Sequence, residues 1–270
     1  MVNLLIVASL IIILCVIFNK VSSKLGVPML LFFILLGMLF GADGIFKIDF
    51  GDYHIAESIC STALIFIMFY GGFGTKWSEA KPIAVKAVML SSLGVILTAL
   101  IVGLFCYFVL KIEILESLLI GSVISSTDAA SVFSILRSKK LGLKYNTASL
   151  LEVESGSNDP CSYMLTSIIL AVMSGQAQGG AIVYMIFSQI VYGVVLGFVF
   201  AFVTRWLVKK ISLETAGFDD ILVLAMAVLA YAVPSAIGGN GYLSVYIAGI
   251  VLGNSQINNK KSLVNFFDGV

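Results

Sequence analysis

The chain has 270 residues, 60% of them apolar and 11% charged, with 16 basic and 15 acidic side chains and a net charge of +1. A water-soluble domain is roughly half apolar and a quarter charged, so this composition excludes one, and the near balance of charge gives no basis for a nucleic-acid partner or an acidic substrate. A bilayer-core helix needs about 20 mostly apolar residues, and runs of that kind fill the sequence with gaps too short for a separate soluble domain.

The first run starts at Asn3 with no Lys or Arg before it and reaches Phe18 without a small-residue cleavage pattern, so it reads as a retained span rather than a signal peptide. Further runs follow, and residues 1–270 are expected to form one transmembrane domain of nine spans near 3–19, 28–42, 56–75, 84–110, 116–136, 146–173, 181–208, 219–237 and 242–255. Cys15, Cys60, Cys106 and Cys161 each lie inside such a run without CxxC spacing and read as small hydrophobes, with no disulfide and no metal cluster expected.

With the amino terminus outside, the loops expected in the cytoplasm hold Lys20, Lys24, Lys76, Lys81, Lys86, Arg137, Lys139, Lys140, Lys144, Arg205, Lys209, Lys210, Lys260 and Lys261, which is 14 of the 16 basic residues. Lys47 and Lys111 fall outside, beside Asp43, Asp49, Asp52, Glu113 and Glu116, as the positive-inside rule requires. The second and ninth runs are short, but deleting either would turn the later basic clusters outward. Gly37 and Gly41 in one, and Gly249 and Gly253 in the other, are spaced to let helices approach closely.

Four acidic residues, Asp128, Glu152, Glu154 and Asp159, lie inside the fifth and sixth runs. A carboxylate at membrane depth is costly unless it is paired, protonated or wetted, so an ion or proton pathway is the first reading and a structural hydrogen-bonded acid the alternative. At ~1.5 Å per residue, the fifth run is centred near Thr127 and the sixth near Asp159, so two helices entering from opposite sides bring a carboxylate to one level. Gly121 to Asp128 is poor in helix formers and rich in side chains that bond their own backbone. A break is expected there, with a half-helix restarting at Thr127 or Asp128 and running to Arg137; a continuous helix is the alternative. In the sixth run, Glu154 with Asn158 and Ser155 with Asp159 are each four apart and form neighbouring stripes. Pro160 frees the Gly156 carbonyl, and Thr127, Ser155, Asn158 and Asp159 together supply the oxygen set that suits a hard cation.

Ser125-Ser126-Thr127-Asp128-Ala129-Ala130 and Glu154-Ser155-Gly156-Ser157-Asn158-Asp159-Pro160 together resemble the paired motifs of the monovalent cation/proton antiporters. The Asn-Asp pair, with Gly241-Tyr242-Leu243-Ser244-Val245-Tyr246-Ile247-Ala248-Gly249, is similar to the electroneutral branch that holds the Na+/H+ exchangers and the NhaP-type bacterial antiporters. The resemblance implies an all-α membrane protein, a multi-spanning helix bundle with a discontinuous helix, part of an inverted-repeat antiporter fold of about thirteen helices. It implies exchange of sodium or potassium for protons by alternating access, with no cofactor. Asp159 would bind cation or proton, Asn158, Ser155 and Thr127 would complete the site, the cation itself resting on Asp159, Thr127 and Ser155, and Asp128 and Glu154 would support it. The family pairs Glu154 with an Arg from a later helix, and no Arg follows Arg205. The chain is therefore expected to be carboxy-terminally truncated. Its expected surroundings are a bacterial inner membrane and a second copy in a homodimer.

A channel or a non-transporting membrane scaffold is the competing class, as is an inactive fragment of the antiporter. Channels favour repeated filters or charged rings, and the sequence shows neither. An enzyme finds no support: His54 sits in an acidic outer loop, and no nucleotide loop or nucleophile-base spacing occurs.

Overall fold

The computed structural model describes residues 2–25, 29–48, 51–128, 143–144, 147–210, 218–256 and 263–264, and among them every regular element is helical. The helices are α1 Val2–Leu25, α2 Met29–Phe40, α3 Tyr53–Gly74, α4 Trp77–Ala80, α5 Ala84–Phe108, α6 Ile114–Ile124, α7 Thr147–Met173, α8 Gly180–Lys210, α9 Phe218–Ala236 and α10 Gly241–Gly253. Their ends fall within about three residues of the sequence-based spans, with two exceptions. α1 runs on to Leu25, past the charge at Lys20, and the helix of the fifth span is interrupted after Ile124, with residues 125–128 irregular. The half-helix expected to reach Arg137 lies outside the described residues from Ala129 onward.

Two units divide the chain, Met1–Glu57 with Asp128–Lys144, and Ser58–Thr127 with Tyr145–Val270. In the first, α1 packs on α2 through the stacked rings of Phe18 and Phe32, whose centroids are 5.4 Å apart. Gly37 is not a packing residue among the described ones, because a Cβ there would meet no atom within 4 Å, and one on Gly41 would meet only the helix's own Gly37 carbonyl.

The second unit is turned inside out relative to a soluble protein. Large apolar side chains such as Val85, Ile101, Val183 and Phe202 are exposed, while Ser91, Ser122, Asn158, Gln189, Asn240 and Ser244 are buried. Among the described residues four helices, α3, α5, α8 and α9, are long and apolar enough to cross a bilayer. Lipid solvates the outer side chains, so polar groups are kept inside where partners can satisfy them. At the end of α8, Lys210 lies over the Trp206 ring at 4.6 Å, an aromatic-cation pair suited to a membrane–water boundary.

The core of this unit is formed by α3, α8, α9 and α10 around Phe69, Phe73, Val223, Ala230, Val245 and Leu252. α10 is only 13 residues long and is buried along most of its length. Glycine makes that possible: a Cβ on Gly249 would stand 3.0 Å from the Phe73 nitrogen and nearer still to the Phe69 carbonyl oxygen, and one on Gly197 of α8 would stand 2.7 Å from the Ser244 carbonyl oxygen. The close approach expected of Gly249 and Gly253 is thus present, and α3 is its partner.

Candidate functional site

α6 ends where its own hydroxyls take over the backbone's work. The Ser122 carbonyl would accept from residue 126 if the helix continued; instead it accepts from Ser125 Oγ at 2.6 Å and from Ser162 Oγ of α7 at 2.7 Å. Ser122 Oγ in turn lies 3.0 Å from Thr166 Oγ1. With that carbonyl satisfied from the side, the chain leaves the helix at Ser125, and Ser126, Thr127 and Asp128 are irregular.

α7 lies against this unwound stretch. Ser126 Oγ donates a hydrogen bond to Asp159 Oδ1. Ser155 Oγ donates to the Thr127 carbonyl at 2.9 Å. The Asn158 amide donates to Thr127 Oγ1, approaches the Thr127 carbonyl at 3.4 Å and reaches Glu154 Oε1 at 3.3 Å. Asn158 is 1% exposed, and its Oδ1 finds no hydrogen-bond partner among the described residues. Asp159, Ser155 and Glu154 are half-buried and Thr127 is exposed, so the cluster has one buried flank and one accessible flank.

The structure therefore brings together Thr127, Glu154, Ser155, Asn158 and Asp159, all singled out from sequence. A continuous helix through Thr127 is ruled out, and the two motifs meet at the break. Asp128 belongs to the other unit, and its expected part in orienting the break rests on sequence alone. Three contributors were missed. Ser126 lies inside the first motif, where nothing local marks it as the hydroxyl that bonds Asp159. Ser162 shows only as a serine one turn beyond Asp159. Tyr246 lies inside the third quoted motif, but nothing there shows that its ring rests on Gly156, where a Cβ would fall 2.5 Å from the tyrosine side chain.

Two carboxylates, three hydroxyls, a backbone carbonyl and an amide thus converge at a helix break, the chemistry of a site for a hard monovalent cation or a proton. The family model described as "Sodium/hydrogen exchanger, transmembrane" matches residues 8–270. This chain belongs to that family. Among sodium/hydrogen exchanger relatives, the K(+)/H(+) antiporter NhaP of Alkalimonas amylolytica is 35% identical over 251 residues, covering 93% of this chain and 44% of that protein. The K(+)/H(+) antiporter NhaP2 of Shewanella sp. (strain ANA-3) is 34% identical over 258 residues, covering 94% and 44%. The structure of the sodium proton antiporter MjNhaP1 from Methanocaldococcus jannaschii superposes with a TM-score of 0.83 at 25% identity, over 97% of this chain and 67% of that one. The exchanger-family chain is an all-helical membrane protein with the antiporter fold, and it spans less than half the length of these curated relatives.

Proposed function

We propose that this exchanger-family chain forms the substrate-binding part of a secondary transporter, not an enzyme, that exchanges sodium or potassium for protons by alternating access in a bacterial inner membrane, working as a homodimer across nine spans with the amino terminus outside. The observation that carries the reading is the Asp159 carboxylate in mid-helix, hydrogen-bonded to Ser126 on an unwound segment whose Thr127 oxygens are gathered by Ser155 and Asn158.

The chemistry follows from the donor and acceptor inventory. A hydroxyl is one donor and two acceptors, and an amide cannot titrate near neutral pH. In the structure Ser155 spends its hydrogen on the Thr127 carbonyl, the arrangement we assign to protonated Asp159. When the proton leaves, a cation taking the Asp159 carboxylate and the Thr127 carbonyl displaces that donor, and the Ser155 hydroxyl turns to offer its oxygen. Cation and proton then compete for one carboxylate, and that competition is the coupling. Asn158 holds Thr127 and Glu154 in both states without changing charge.

One titrating group makes the exchange one cation for one proton. The membrane potential, worth ~2.3 kcal/mol per charge per 100 mV, would then do no work, and gradients alone would set direction. Full-length protein in vesicles is expected to move protons in response to sodium or potassium at the same rate with the potential clamped or free. Dependence on the potential would mean that Glu154 or Glu152 carries a further proton and would end the one-for-one reading, while the absence of any cation-driven proton movement would remove the antiport assignment.

A further inference from the structure

The residue that begins α10 does more than cap it. Asn240 is 2% exposed, and its Oδ1 accepts from the Leu243 backbone at 3.0 Å as an N-cap should. Its Nδ2 donates across 80 residues to the carbonyl oxygen of Pro160 at 2.8 Å, and its own backbone N–H donates to the Gln189 carbonyl of α8 at 3.1 Å. One residue thus joins α7, α8 and α10 at the position next to Asp159.

The choice of side chain is informative. Ser, Asp and Asn are comparable N-caps, but of these the amide alone supplies a cap acceptor together with an N–H donor that can reach a second helix. The place it reaches matters as much. Pro160 has no N–H, so the turn from Gly156 to Pro160 lacks one helical hydrogen bond, and that turn carries Asn158 and Asp159. A helix weakened there needs support from outside. α6 gives some through Ser162 on the Ser122 carbonyl, and Tyr163 meets Tyr242 edge-on at 4.8 Å; Asn240 grips the Pro160 carbonyl itself.

We infer that Asn240 is a positioning residue for cation binding, holding the proline-weakened turn of α7 so that Asn158 and Asp159 face the Thr127 oxygens. The inference rests on the cation-site reading above, and Asn254 provides its control. That residue closes the other end of the same helix, accepting from the Trp77 backbone at 2.9 Å and donating to the Thr75 carbonyl at 2.8 Å, without touching α7 through either bond.

The test measures cation-induced thermal stabilisation of the purified full-length protein, a readout of binding that needs no transport, titrated with sodium and potassium for wild type, Asn240→Ser and Asn254→Ser. Asn240→Ser keeps the cap and loses the bridge. Its half-saturating cation concentration is expected to rise roughly threefold to tenfold, the net worth of one hydrogen bond. Asn254→Ser should lower the cation-free melting temperature at least as much while leaving the half-saturating concentration in place. Half-saturation that moves no more in Asn240→Ser than in Asn254→Ser would reduce the bridge to a structural contact and overturn the inference alone. A wild-type protein that no monovalent cation stabilises would overturn the cation-site reading and the inference with it.

Discussion

Replacing Asp159 by Asn is expected to reduce cation-driven proton movement in reconstituted vesicles to that of protein-free vesicles, while the protein stays folded. The carboxamide matches the carboxyl in size and still accepts from Ser126, so the helix break and the bonds of Ser155 and Asn158 to Thr127 have no reason to change. What is lost is the carboxylate proposed above to take up a proton or a cation in turn. An intact melting transition with no flux is the predicted pair of results, and flux at the wild-type rate in this variant would remove Asp159 from the centre of the mechanism. Asp159→Glu, which keeps the charge but lengthens the side chain by one methylene, should leave measurable flux at reduced cation affinity.

The second large effect belongs to packing. Gly249 of α10 lies against the backbone of α3, with the Phe69 carbonyl and the Phe73 nitrogen occupying the space a side chain would need. Backbone atoms cannot rotate aside as a side-chain terminus can, so Gly249→Val must push the two helices apart or tilt α10. Overpacking of this kind costs roughly 1–3 kcal/mol, occasionally more, and the upper end is expected because the apolar contacts of Val245 and Leu252 open with it. Thermal unfolding in detergent, followed by intrinsic fluorescence, checks it. Gly37→Val is the matched control: a Cβ there meets nothing within 4 Å among the described residues, so little change is expected. Equal destabilisation by the two would mean that glycine spacing, rather than contact with α3, governs this region.

The contrast between those glycines shows where sequence reasoning succeeds and where it stops. Gly37 and Gly41 have the same spacing as Gly249 and Gly253, yet among the described residues only the latter pair meets another helix, because spacing describes one helix face and says nothing about what lies opposite. The helices themselves were legible, since hydrocarbon thickness sets their length and the scarcity of charge sets their ends. The core of the site was legible for a related reason: carboxylates are too costly in a membrane to be incidental, and Ser and Thr runs weaken helices where they stand. Ser126, Ser162 and Asn240 were not singled out. Each is a common polar residue whose role depends on a partner 33, 40 or 80 positions away, and no local pattern encodes that distance.

The shortness of α10 bears on what fixes its place. Thirteen residues at ~1.5 Å each span about 20 Å, well short of a hydrocarbon core of about 30 Å, so hydrophobic length alone does not commit this segment to crossing. Its ends are met by protein instead: Asn240 finds the Pro160 and Gln189 carbonyls, and Asn254 finds Thr75 and Trp77. All four partners are synthesised before it. The groups that hold the two ends of α10 thus lie in earlier chain, and these contacts, more than hydrophobic length, fix where the segment sits. The candidate site shares one of these contacts, because the carbonyl that Asn240 closes on belongs to the residue after Asp159.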